Sequence, residues 1–201
     1  MADHHKKMNE NTKQRIETEF IKLLESEGFE RISVKQIAVC ASINRGTFYL
    51  HYIDKYDVME HIQKRLLEGL SGLVEQVRPS EVLHALMSGN FYSPFLMVFE
   101  YIKNHGNEFR ALLGDRGDPS FARKMKEIFG DILLNKFIQH YPGTNKWFPQ
   151  YMTAFMTSSI LGLIQEWLEH LEEQSVEEMA RTHLEVIGFI SNLKTMLKEG
   201  E

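Results

Sequence analysis

One cysteine, Cys40, stands in 201 residues, so no disulfide can close within the chain and a reducing, cytoplasmic setting is expected. Metal-ligand spacing is missing as well. The nine histidines include no His-x3-His pair and Cys40 has no Cys-x2-Cys partner, so neither a metal nor another cofactor is expected. No run alternates apolar and polar residues as a strand would. Residues 147–165 carry no formal charge, yet Pro149, Gln150, Thr153, Thr157, Ser158, Ser159 and Gln165 make them too polar for a span. They read as a buried bundle helix, with no membrane as partner. The start Met1-Ala2-Asp3-His4-His5-Lys6-Lys7 is polar throughout, so no secretory signal is expected there, and His4 and His5 read as a flexible arm.

Enzymatic motifs are absent too. Asp115, Arg116 and Asp118 flank Gly117 in a short loop, but no strand precedes them and no Walker-type lysine and hydroxyl follow. Arg116 is expected to pair with a nearby carboxylate, and Asp118 to cap a helix whose first residue is Pro119. The chain is therefore not expected to be an enzyme.

Apolar residues make up 43% of the chain and charged residues 25%, enough for a substantial core in one or two domains. The net charge is −5, and it is unevenly spread. Residues 31–55 hold four basic side chains and one acidic, whereas residues 66–201 hold 12 basic and 18 acidic. A small basic patch on an acidic body suits a protein that binds DNA at one place.

That basic patch reads as two short helices joined by a tight turn. Ser33 and Gln36 form a capping box for the first helix, and Asn44 can cap the second. Ile37, Ala38, Ala41, Ile43 and Phe48 fall where two crossing helices meet, with Phe48 anchoring the second inward. Left outward are Arg45, Gly46, Thr47, Tyr49 and His51, a donor-rich face suited to phosphates and base edges. Tyr52 reads as a core aromatic and Tyr49 as a phosphate contact. Cys40 reads as a small packed residue.

The pattern Ile37-Ala38, Ala41, a turn, the cap Asn44 and then Gly46-Thr47-Phe48-Tyr49-x-His51-Tyr52-x-x-Lys55 resembles the tetracycline-repressor (TetR) family of transcriptional regulators. The resemblance is tight over roughly residues 10–60 and architectural beyond. It implies that Lys35, Arg45, Gly46 and Thr47, with the cap Asn44, lie near base edges or adjacent phosphates, and that Tyr49, His51 and Lys55 hold the DNA backbone. Two positions depart from the family. Ser42 replaces the usual turn glycine, which costs on the order of 1 kcal/mol if the backbone keeps a positive φ. Ile53 stands where a turn former is frequent.

An all-α chain is expected, with a helix-turn-helix domain over 1–56, a linking helix over about 55–76 and a regulatory and dimerisation domain over 77–201. Helix one should run from Asn11 to Glu27 and stop at Gly28. Further helices are predicted near 81–88, 92–105, 107–113, 119–140, 147–171 and 176–198. Phe148, Tyr151, Met152, Phe155, Met156, Ile160, Leu163, Ile164, Trp167 and Leu168 make a wide apolar stripe beside the small residues Ala154, Ser158 and Gly162. The last helix opens on the capping box Ser175 to Glu178 and carries Val176, Met179, Ala180, His183, Ile187, Ile190 and Leu193. Two such helices can pack against their copies, so a homodimer on an inverted-repeat operator is expected.

The segment from Tyr92 to Phe121 resembles the C-terminal domain of a TetR subgroup that includes regulators of dihydroxyacetone kinase genes. The implied controller is a small, largely apolar effector or a protein coactivator. Phe95, Phe121, Met125, Met152, Phe155 and Met156 are candidates to line an effector site, with Tyr101, His105 and Gln165 as polar contacts. At helical spacing such stripes are more often core. The expected activity is that of a homodimeric repressor, with an activator or a protein-interaction module as the alternative.

Overall fold

The computed structural model describes residues 2–88, 93–134 and 145–199, and all regular structure among them is helical. The helices are α1 (Ala2–Glu27), α2 (Val34–Cys40), α3 (Arg45–Tyr49), α4 (Lys55–Val74), α5 (Pro79–Ser88), α6 (Ser93–Asn104), α7 (Gly106–Leu113), α8 (Pro119–Leu133), α9 (Phe148–Glu169) and α10 (Val176–Glu199). A 3-10 turn, Phe29–Arg31, follows α1. The chain divides into two compact units, Met1–Glu68 with Asn107–Arg123, and Gly69–Gly106 with Lys124–Glu201.

In the first unit α1 begins at Ala2, earlier than Asn11, so the expected arm is helical. No glycine or proline precedes Gly28 to stop it. The side chains of His4 and His5 lie outside the described residues. Gly28 ends the helix with φ at 81°, its N–H donating to the Leu24 carbonyl at 3.1 Å. Ile16, Phe20 and Leu24 of α1 are buried, as are Ile37, Phe48, Val58, Ile62 and Leu66.

Residues 107–123 lie within the expected 77–201 domain, yet they pack with the first unit through four polar ties. Arg65 of α4 donates to Glu17 at 2.9 Å and to Glu108 at 2.8 Å. Arg110 donates to Glu25 at 2.8 Å, and Gln63 to Asp118 at 2.8 Å. Arg116 corrects an expectation: its partners are the backbone carbonyls of Glu25 and Ser26, not a carboxylate. The last carbonyls of a helix lack intrahelical partners, and a guanidinium supplies them. Asp118 caps α8 as expected, accepting from the Ser120 N–H at 2.8 Å.

In the second unit α10 packs on α6 and α5. Phe99 meets the rings of Trp167 and His183, both at 5.8 Å between centroids. The Ser175 box is formed, with the Ser175 N–H donating to Glu178 at 2.7 Å and the Glu178 N–H to the Ser175 hydroxyl at 3.1 Å. The apolar stripe of α9 is buried only from Thr157 onward, at Leu161, Ile164, Trp167 and Leu168. Tyr151 and Phe155 stand exposed, as do Ala154, Ser158 and Gly162. The end of the helix expected over 119–140, and the side chains of Ile187, Ile190 and Leu193, lie outside the described residues. No described helix is long and apolar enough to cross a membrane.

Candidate nucleic-acid interface

The joint between α2 and α3 is built by backbone chemistry first. Ser33 and Gln36 close their capping box, with the Ser33 N–H donating to Gln36 Oε1 at 2.9 Å and the Gln36 N–H to Ser33 Oγ at 3.3 Å. Gln36 also donates to Glu27 at 2.9 Å, which ties the start of α2 to the end of α1. At the other end, the Ser42 N–H donates to the Val39 carbonyl at 3.0 Å and the Ile43 N–H to the Ala38 carbonyl at 2.9 Å. That pair of bonds is a Schellman closure, which needs a left-handed residue at its apex. Ser42 takes that place with φ at 51°, the single non-glycine residue at positive φ among those described. Arg15 of α1 donates to the carbonyls of Ala41 and Ser42 and holds the turn.

Asn44 then starts α3, its Oδ1 accepting from the Thr47 N–H at 2.7 Å and the Thr47 hydroxyl at 3.1 Å. A Cβ on Gly46 would lie 3.2 Å from that same oxygen, so a side chain there would crowd the cap. Phe48 is fully buried and meets Tyr49 and Tyr52 at 5.5 and 6.0 Å between centroids. Tyr52 is buried, as its position suggested, and donates to Glu17 at 2.7 Å. Burial, helped by that bond, pushes its phenol far up.

Arg45 and Tyr49, one turn apart, face outward together. The guanidinium donates to the Tyr49 hydroxyl at 3.1 Å and sits 5.8 Å from the ring centre. Tyr49 is 50% exposed, and Lys35 and Gly46 are exposed beside it. His51 is half-buried rather than outward. Its Nδ1 is enclosed without a hydrogen-bond partner among the described residues, and burial, then the charge of Lys13, lower its pKa. Lys55 is tied down: its ammonium donates to the carbonyls of Phe29 at 2.8 Å and Glu30 at 3.3 Å and lies 4.5 Å from the Phe29 ring centre.

Several residues of this surface were not foreseen. Lys13 and Arg15 of α1 border it, Lys13 through its charge beside His51 and Arg15 through the turn carbonyls, and nothing in their own stretch of sequence pointed to those partners. Cys40, expected to be packed, is exposed, because Ile37, Ala38 and Ala41 take the inward face of α2. Leu50 and Ile53 stand bare in solvent just after α3.

The effector candidates are less convergent. Tyr101 and His105 of α6 meet at 4.7 Å between ring centres, and the Tyr101 hydroxyl lies against Gly69, where a Cβ would collide with it. Met125 is buried in the second unit, but Phe121 belongs to the first and packs on Phe109 at 5.8 Å. Met152 and Met156 are half-buried, whereas Phe155 and Gln165 are exposed. The side chain of Phe95 lies outside the described residues. His183, in the packing stripe of α10, is a buried polar group. Burial pushes its pKa down to about 4.

Residues 21–62 match the family model described as bacterial regulatory proteins, tetR family, and residues 89–188 match the one described as transcriptional regulator C-terminal region. The chain belongs to the TetR family. Its α2 and α3 are the helix-turn-helix of a TetR regulator, a DNA-binding family, and the proteins it resembles are transcriptional regulators, not enzymes. Among its relatives is an uncharacterized HTH-type transcriptional regulator, YxbF, of Bacillus subtilis (strain 168), 28% identical over 129 residues. The match takes in 63% of this chain and 32% of YxbF, so the chain spans about a third of that relative. The fold is that of a TetR transcriptional regulator from Streptococcus agalactiae 2603V, with a TM-score of 0.60 at 20% identity over 93% of this chain and 99% of that one. It is also that of the dihydroxyacetone kinase operon activator DhaS, with a TM-score of 0.52 at 16% identity over 92% and 97%.

Proposed function

We propose that this TetR-family chain is a cytoplasmic, homodimeric repressor that lays α3 of each subunit into the major groove of an inverted-repeat operator. The observation that carries the reading is the outward face of α3, where Arg45 and Tyr49 stand paired on a helix start fixed by Asn44 and anchored by buried Phe48. In this reading Lys35, Arg45, Gly46 and Thr47 approach base edges or nearby phosphates, Arg45 having the fork that matches a guanine edge. Tyr49 and His51 meet the DNA backbone. Lys55 spends two donors on carbonyls and keeps its third for a phosphate.

Dimerisation follows from both partners. One five-residue helix spans few base pairs, so two copies are needed for useful selectivity. The exposed Tyr151 and Phe155, beside Ala154, Ser158 and Gly162, supply an apolar face on α9 that a second copy would cover, with α10 completing a four-helix interface. Control is allosteric: an apolar effector or a protein coactivator bound within residues 77–201 shifts the α4 link and with it the spacing of the two reading helices. Only a difference in affinity for the two spacings can drive that shift.

Activation is the second reading, favoured by the likeness in fold to the dihydroxyacetone kinase operon activator DhaS. A reporter fused to the target promoter separates the two by the sign of its response when the gene is deleted. The DNA-binding reading itself is tested by mobility shift with the region upstream of the gene, at low and moderate salt. A sequence-selective complex that weakens steeply with salt is expected, and the absence of any selective complex overturns it.

A further inference from the structure

The highest fractional exposure of a large apolar side chain among the described residues falls at the C-cap of the reading helix. Leu50 is 83% exposed, ahead of every other large apolar side chain described, and the proposed DNA contacts leave it without a task. Its backbone is still helical, with φ at −75° and ψ at −17°, so it continues the turn of α3. Each helical residue advances about 100°. Two steps before and two steps after Phe48 therefore bring the chain round to the side opposite the core, and those positions are Gly46 and Leu50.

Gly46 puts bare backbone on that line. A Cβ there would meet only the Asn44 oxygen, so nothing one turn before Leu50 holds a duplex away. With α3 laid in a groove as proposed above, Leu50 is the large exposed side chain on that line. The Arg45–Tyr49 pair supplies polar contacts on one flank, whereas Leu50 has neither donor nor acceptor. Among the groups that base pairs present in the major groove, the apolar one is the C5-methyl of thymine.

We infer that Leu50 is a specificity-determining residue that packs on the C5-methyl group of a thymine in each half-site. The inference rests on the DNA-reading role proposed for α3. Ile53, 80% exposed but past the end of that helix, is an internal control of like size and exposure.

The test starts from a duplex recovered by the wild-type protein from a randomised pool, in which each thymine is replaced in turn by deoxyuridine. Deoxyuridine lacks the methyl group and keeps every hydrogen-bonding atom. At one thymine per half-site the wild-type protein should lose about fourfold in affinity, the worth of one buried methyl group. Leu50→Ala removes no core contact and should fold normally. It should bind the unmodified duplex at least fourfold more weakly and lose nothing further at that uracil, while Ile53→Ala keeps the full response. A wild-type protein indifferent to every uracil overturns the assignment. So does a response retained in Leu50→Ala or lost in Ile53→Ala. Recovery of no duplex at all would instead overturn the DNA-reading role, which separates the two failures.

Discussion

Arg15 of α1 grips the two carbonyls on either side of the tightest point in the helix-turn-helix, those of Ala41 and Ser42, and Ser42 holds a left-handed backbone there at φ 51°. Left-handed strain of about 1–2 kcal/mol, less the roughly 0.5–1 kcal/mol that glycine's freedom costs on folding, leaves a net gain for glycine at this site. Ser42→Gly should raise unfolding free energy by about 0.5–1 kcal/mol in urea titration. Arg15→Ala should lower it by about 1 kcal/mol. A destabilised Ser42→Gly would show that the serine side chain contributes more than its backbone costs.

Glu17 is a second joint of the same unit, because it accepts from both Tyr52 and Arg65. Tyr52→Phe removes one bond and should cost about 1 kcal/mol, whereas Glu17→Ala leaves a buried hydroxyl and a half-buried guanidinium short of an acceptor, at about 1–3 kcal/mol. Chemical denaturation of the two variants side by side gives the order. Equal losses would contradict it.

Gly117 allows no side chain, since a Cβ would run into the backbone carbonyl of Leu112 and lie 2.7 Å from that of Ala111. Gly117→Ala should cost about 1–3 kcal/mol by overpacking. Thermal unfolding that matches the wild type would show that the loop relaxes freely.

His183 makes stability depend on pH. Its folded pKa of about 4 lies below the unfolded value of 6.5, so the unfolded chain takes up a proton that the folded chain refuses. The contribution is fully present above pH 6.5 and is lost as pH falls toward about 4, and it amounts to about 3 kcal/mol. Unfolding titrations at pH 7 and pH 4.5 should show a smaller acid loss for His183→Leu than for the wild type. An identical loss would assign the acid sensitivity to other groups.

On DNA, Arg45→Ala should weaken binding by about 1–3 kcal/mol and relax preference at one base pair, while Tyr49→Ala should weaken all sequences alike. Lys55→Ala should also lower the stability of the free protein, because its ammonium holds the carbonyls of Phe29 and Glu30. Binding by selected and shuffled duplexes distinguishes the two patterns. An Arg45→Ala variant with unchanged preference would contradict the base-reading role.

Local chemistry was legible in the sequence. The caps at Ser33, Asn44, Asp118 and Ser175 need partners only two or three residues away, and all are formed. Phe48, Tyr52 and Ile37 could be placed inward from helical spacing alone. Long-range polar ties were not legible, because nothing near Arg110 or Arg116 points to Glu25 and Ser26, far back along the chain. The commitment of Lys55 to two carbonyls was hidden for the same reason. The exposure of Leu50 could have been read from its position two residues past Phe48, but an outward leucine on a helix draws notice only when the helix has a partner.

The most direct test of the account is a hydroxyl-radical footprint of the wild-type protein on its selected duplex. Two symmetric protected patches, with centres about 34–36 Å apart or a multiple of that, are the expected result for a dimer inserting two copies of α3. A single patch, or protection that does not depend on sequence, would contradict it.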